Sequence, residues 1–170
     1  VLSYVSLTNP FDAGAELILN GDFSQGQTGW TLTSQSAVTQ FYLLQASVAP
    51  AAQAARVNIN RASYSGVMWA PILYRPLAGR LIAGQPYRLS FTARTDSARF
   101  IESTLQHDGF HGGGWPEAAP QNNCNVHFLT AQKQTFSCTF VSPTGDDRVI
   151  LAFRLGGSGQ FGSNVYLDDI

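Results

Sequence analysis

Charge is the first thing this chain lacks. Asp, Glu, Lys and Arg make up 12% of its 170 residues, against about 25% in an ordinary soluble domain. Lys133 is the single lysine, the other nine cations are arginines, and the net charge is −1. No cationic face for nucleic acid or anionic lipid follows from that balance. No apolar run reaches the roughly 18 residues of a membrane span, and no signal-peptide pattern opens the chain. Also missing are a zinc HExxH helix, a serine nucleophile elbow and a phosphate-cradling loop; Gly156–Gly159 is glycine-rich, but no helical pattern follows it. The chain opens at Val1 and stops at Ile170 without a tail. Residues 1–170 are therefore expected to be one module taken from a longer, multi-domain protein.

Cysteine is nearly absent too. Cys124 and Cys138 are the only two, with thirteen residues between them and no CxxC pair, which removes the usual zinc and redox motifs. A disulfide between them would contribute about 3 kcal/mol by loop closure; two separate buried thiols are the alternative. A bridged, lysine-poor surface rich in amides and hydroxyls fits a secreted, extracellular protein.

What the chain has in abundance is alternation. Leu89, Phe91 and Ala93 face one way while Arg88, Ser90, Thr92 and Arg94 face the other. Val149, Leu151, Phe153 and Leu155 oppose Ile150, Ala152 and Arg154. Ile101, Ser103 and Leu105 oppose Glu102, Thr104 and Gln106; Phe136, Cys138 and Phe140 oppose Ser137 and Thr139; Val57 and Ile59 oppose Asn58 and Asn60. Further strands are expected at Glu16–Asn20, Val38–Leu44, Gly66–Tyr74, Cys124–Leu129 and Asn164–Ile170. Turn residues separate these runs, as at Asn20-Gly21, Ala83-Gly84-Gln85-Pro86 and Pro143-Thr144-Gly145-Asp146. The one helix-like stretch, Ala49–Ala55, contains Pro50 and is short enough to be a loop. About ten short strands, each with one apolar face, predict an all-β fold: two antiparallel sheets packed as a sandwich or jelly roll.

The outward positions combine arginine, amides and hydroxyls with isolated aromatics, which is the chemistry a sugar selects. A pyranose offers apolar C–H faces for ring stacking, and its hydroxyls suit planar bidentate partners such as Arg, Asn, Gln and Glu. Three function classes follow: a carbohydrate-binding module, a protein-interaction or adhesion domain on the same scaffold, and a small polysaccharide-cleaving enzyme. The last needs two carboxylates in phase. Glu102 is the only glutamate on an expected groove face, and no carboxylate is in phase with it.

Three blocks carry a family resemblance. Leu17-Ile18-Leu19-Asn20-Gly21-Asp22-Phe23-Ser24 with Gly29-Trp30, the run Ala83-Gly84-Gln85-Pro86-Tyr87-Arg88-Leu89-Ser90-Phe91-Thr92-Ala93-Arg94, and Val165-Tyr166-Leu167-Asp168-Asp169-Ile170 come in order across nearly the whole chain. Together they resemble β-sandwich carbohydrate-binding modules of the family 4, 9, 16 and 22 type, family 4 most of all. The resemblance implies a galactose-binding-domain-like jelly roll. It further implies a monomeric, non-catalytic module that holds a polysaccharide such as β-glucan (cellulose) or xylan in a cleft and targets an appended glycoside hydrolase. It also implies ligand roles for Trp69 and Arg154, and a structural Ca²⁺ held by Asp168 with help from Asp22. Ser24 stands where that family often has an acidic residue, and Ala51–Ala55 offers no carboxylate.

The binding set expected on these grounds is Trp69, Arg154, Gln106, Glu102, Tyr74, Trp115 and His107. Each has a plainer alternative. Trp69 would plug the core edge, Trp115 would anchor the loop Gly109–Pro120, and Tyr42, Tyr64 and Tyr74 would be half-buried strand fillers. Glu102, Thr104 and Gln106 would simply face water. Trp30 belongs in the core. His107 and His111 are four apart, a metal spacing only on a helix, and Gly109 with Gly112-Gly113-Gly114 argues for a surface loop instead.

Overall fold

The computed structural model describes residues 16–33, 46–50, 54–59, 68–109, 114, 116–119, 125–143, 145–157 and 163–170. These form eleven strands: β1 Thr31–Thr33, β2 Ala46–Pro50, β3 Ala55–Ile59, β4 Ile72–Pro76, β5 Pro86–Thr95, β6 Arg99–His107, β7 Glu117–Ala119, β8 Val126–Leu129, β9 Gln134–Val141, β10 Val149–Arg154 and β11 Ser163–Asp168. There is no α-helix among the described residues, and no helix long and apolar enough to cross a membrane.

The strands make two sheets. The front sheet runs β1-β4-β10-β6-β7, with β8 also pairing to β6, and the back sheet runs β2-β3-β11-β5-β9. Every recorded pairing is antiparallel. This is the expected two-sheet sandwich, and the alternation explains it. Leu89, Phe91 and Ala93 of β5, Leu151 and Phe153 of β10, and Val165 and Leu167 of β11 are all fully buried between the sheets. Aromatic rings lock the layers together. Phe91 meets Phe153 edge-on at 5.0 Å and stacks on Phe136 at 5.2 Å, and Trp30, buried as expected, lies 6.3 Å from Phe153. Burying one such ring stabilises the fold by about 1.5–3 kcal/mol.

One expected strand is a turn instead. Over 16–20 the apolar residues suggest β structure, but Asn20 adopts φ 53° and ends any extension there. Its side chain replaces the missing ladder: Nδ2 donates to the Gly26 and Thr28 carbonyls, each at 3.0 Å, and Oδ1 accepts from Gln25 N–H at 2.9 Å. Trp30 Nε1 then donates to the Asn20 carbonyl at 3.0 Å. Gly21 lies so close to the end of β11 that a Cβ would overlap the Ile170 carbonyl oxygen. The Asn-Gly-Asp-Phe block is thus a hub joining the opening loop to the closing strand.

Other boundaries shift modestly. The strand expected over Gly66–Tyr74 begins only at Ile72, after a cis Ala70–Pro71 bond, and a short strand, β7, occupies part of the loop expected over Gly109–Pro120. Val38–Leu44 lies outside the described residues.

Candidate functional site

A sheet has two faces, and on the front sheet the face turned from the core is unusual. β10 sends Ile150, Ala152 and Arg154 outward, β4 sends Ile72 and Tyr74, and β6 sends Glu102, Thr104 and Gln106. Register sets these in rows across the strands: Ile72, Arg154 and Glu102 in one, Tyr74, Ala152 and Thr104 in the next, then Ile150, Gln106 and Glu117. Outward residues of a two-layer sandwich ordinarily meet water. Here Ile150 is 1% exposed, Ala152 0% and Gln106 3%, and Ile72, Ile150 and Ala152 form an apolar cluster with Tyr74 against it. This apolar floor is therefore itself covered, not open to solvent.

Over that floor the polar groups hold one another in place. Arg154 Nη1 donates to Glu102 Oε2 at 3.3 Å, and Nη2 donates to Gln106 Oε1 at 2.9 Å. Thr104 Oγ1 donates to the same Gln106 oxygen at 3.0 Å. Two bonds on its carbonyl oxygen orient the Gln106 amide so that its N–H pair is presented as donors. Arg154 Nε has no hydrogen-bond partner among the described residues. A cavity of about 110 Å³ opens here, lined by Thr104, Gln106, Glu117, Asn125 and Arg154. The Arg154–Glu102 pair is internally neutral, so the fork favours a neutral, hydrogen-bonding ligand over an ion. Donors and acceptors prearranged in this way can take a ligand with hydroxyl edges at little ordering cost.

Trp69 belongs to the same end of the same sheet. Leu155 N–H donates to the Pro71 carbonyl and Gly156 N–H to the Met68 carbonyl, both at 2.9 Å, so the segment 68–71 is fastened beside the residues that follow Arg154. At 36% exposure Trp69 is not a core plug. Behind this junction Arg99, 1% exposed, donates to the Leu155 carbonyl and, at 3.1 Å, to Ser163 Oγ. Burial pulls its guanidinium down to about 10, so it still carries its charge at neutral pH.

Four of the expected residues, Tyr74, Glu102, Gln106 and Arg154, are thus brought to one face, and the segment that carries Trp69 is fastened at its edge. His107 is not among them. It follows Gln106 on β6 and points the other way, where Nδ1 bonds Asp146 at 2.9 Å and Nε2 faces Arg148 at 3.2 Å. Burial works against the Asp146 carboxylate, but the Arg148 N–H and His107 outweigh it and hold that carboxyl below its usual range. The one-residue step that exposes Gln106 to the cleft turns His107 away from it. Trp115, His111, Tyr42, Tyr64 and Cys124 lie outside the described residues. Cys138 is buried on β9 and is not a free thiol.

The two residues expected to hold calcium, Asp168 and Asp22, are not brought into one hollow. Asp168 accepts from the Lys133 ammonium at 3.0 Å, and the same ammonium lies 3.5 Å from Asp169. Asp22 is turned elsewhere: its Oδ1 accepts from the Ser24 N–H and hydroxyl at 3.1 and 2.9 Å. It shares a hollow with Glu16 and Asp169, not with Asp168. Among the described residues no group of three or more His, Cys, Asp or Glu side chains is arranged to hold a metal ion.

Reading outward positions from Glu102 onward stops one pleat short. Phe100 and Phe128 are half exposed on this same face, beside Val126, the register partner of Glu102. Extending the β6 alternation by two residues would have found Phe100. Glu117 and Asn125 of the cavity wall had no local signal, because only strand pairing brings them there.

A family model described as "Carbohydrate binding domain" (CBM_4_9) matches residues 15–160. No curated protein matches the chain. Among solved structures, one described as CBM4 superimposes with a TM-score of 0.69 at 24% identity, covering 89% of this chain and 96% of its own. The N-terminal cellulose-binding domain of Cellulomonas fimi β-1,4-glucanase C gives 0.61 at 19% identity, covering 91% and 94%. The second N-terminal cellulose-binding domain of that enzyme gives 0.57 at 20%, covering 99% and 96%. At these identities the structures speak for the fold.

Proposed function

Because this chain belongs to the CBM_4_9 family of carbohydrate binding domains, we propose that its front face is the cleft that binds a neutral polysaccharide, a β-glucan or xylan. One observation carries the assignment of the site: Arg154 is bonded to Glu102 and Gln106, 52 and 48 residues away in sequence, in a single fork over an apolar floor. Trp69 supplies the stacking ring, Tyr74 the edge of the floor, and the fork reads hydroxyls. The structural neighbours that are cellulose-binding domains favour a glucan. Few contacts must offset the ordering of a flexible chain, which sets the expected Kd between micromolar and millimolar.

The module acts without catalysis, as a monomer, and serves to hold an attached glycoside hydrolase on its substrate. Glu102 is held by Arg154 in an ion pair at 3.3 Å, which supports a binding role over a catalytic one. An extracellular setting goes with a Cys124–Cys138 bridge, supported by a Cys138 that is not a free thiol; a thiol titration of the unfolded, unreduced chain that finds two free groups would remove that support.

Affinity electrophoresis on β-glucan, xylan and mannan gels tests the reading. Wild type should be retarded on at least one polymer. Trp69→Ala should migrate freely while unfolding at nearly the wild-type temperature, since an exposed ring contributes little to the fold. Free migration of the wild type on every polymer would overturn the assignment. A Trp69→Ala variant that loses several kcal/mol of stability would return Trp69 to the core.

A further inference from the structure

The front face does not end at the fork. Phe100 on β6 and Phe128 on β8 are direct register partners, with ring centroids 4.9 Å apart and planes tilted by 51°. They are 51% and 48% exposed, and Val126 beside them is 50% exposed. Single exposed apolar residues need no explanation, but three together, two of them touching aromatics, make a patch that does.

Its position says what it meets. Phe100 is two residues from Glu102 on the same strand, hence on the same face and about 7 Å further along. Continuing the β10–β6 register by one pleat beyond Arg154↔Glu102 sets Gly156 opposite Phe100. Gly156 is the residue whose N–H bonds the Met68 carbonyl, next to Trp69. Gly156, Phe100 and Phe128 therefore line up just past the end of β10 and across β6 and β8, and the segment that carries Trp69 is fastened beside Gly156. The glycine between the aromatics puts no side chain in that row. Alongside runs the row of Arg154 and Glu102.

We propose that Phe100 and Phe128 form a second ring platform that extends the cleft past the Arg154 fork and stacks against a further sugar ring of the same neutral chain. This rests on the carbohydrate reading above and adds a direction to it: the chain lies across the strands, one flat face on the aromatics and its hydroxyl edge toward the fork. A protein partner would call for a broader apolar surface. This one is narrow and bordered by Glu102, and it continues the cleft along β6.

The test is isothermal titration of wild type, Phe100→Ala, Phe128→Ala and the double variant with β-1,4-linked gluco-oligosaccharides from short to long, and with the matching xylan series. Both phenylalanines are exposed, so thermal unfolding should be nearly unchanged. The double variant should lose about tenfold in affinity for the longest ligands and nothing for the shortest, and Phe128→Trp should keep long-ligand affinity at or above wild type. Equal affinity of double variant and wild type at every length overturns the platform while leaving the cleft intact, and so does an equal loss at every length. A wild type that binds no member of either series removes the cleft reading itself, and the platform with it.

Discussion

The two outer faces of this sandwich are built by the same alternation and end in opposite chemical conditions. On the back sheet, the outward side chains use up one another. The Arg94 guanidinium lies 3.6 Å over the Tyr166 ring, Lys133 pairs with Asp168 and Asp169, and Arg88 Nε donates to Ser137 Oγ at 2.9 Å. A hollow of about 230 Å³ lies beside Tyr166, twice the size of the front cavity, but the ring is covered and the ammonium is paired. On the front sheet the polar fork stands over an apolar floor with exposed aromatics beside it. The contrast teaches that hollow size does not mark a site. On the proposed reading, rings left uncovered beside prearranged donors and acceptors do.

Five experiments would break or sharpen this contrast. The largest effect is expected from Phe153→Ala, which empties the ring position that both sheets share. Denaturant unfolding should show a loss of about 3–5 kcal/mol, and a loss under about 1 kcal/mol would mean that the two faces do not rest on a common core.

Acid should come next. His127, on the core side of β8, shares a 2.8 Å hydrogen bond with Ser103 and packs 4.9 Å from both Phe91 and Phe136. Burial lowers its pKa from 6.5 to about 4. The unfolded chain therefore takes up a proton near pH 6.5 while the folded chain declines it until about pH 4. Stability is full above the unfolded value and falls through that window by about 3 kcal/mol. His127→Gln should flatten that part of the stability–pH curve, and an unchanged slope would place the loss elsewhere.

The direct comparison of faces has a smaller free-energy scale. Arg154→Met should weaken polysaccharide binding by roughly tenfold to a hundredfold, since it removes charge-assisted bonds. Arg94→Met on the back should leave binding unchanged in the same titration. If the two arginine variants behave alike, the binding face is misassigned. Smallest of all is Lys133→Ala, expected to cost less than about 1 kcal/mol because the lysine side chain is 54% exposed. Calcium or a chelator should move the melting temperature of wild type by no more than about 1 °C, and a clear rise with calcium would place a metal at the closing strand.

Much of this was legible in the chain because period-two alternation is a local property. The strand expected over Tyr87–Arg94 is β5, and the opposition of Arg154 to Phe153 holds as read. Alternation fails where side chains bond backbone: Leu17, Ile18 and Leu19 read as a strand, but the Asn20 amide closes a turn that periodicity does not register. It also fails for short edges. β1 and β7 have three residues each, too few to display a period. His107 was misjudged for a different reason, since being next to Gln106 in sequence means being on the other face in a strand.

By itself the amino-acid order determined that there are two layers, which residues lie between them and which point away, because facing is decided within each strand by its own backbone pleat. It did not determine which outward residues become neighbours. Arg154 meets Glu102 across 52 residues of chain, and Phe100 meets Phe128, through backbone hydrogen bonds between strands. That lateral register is a property of the whole assembled sheet, and the cleft exists only in it.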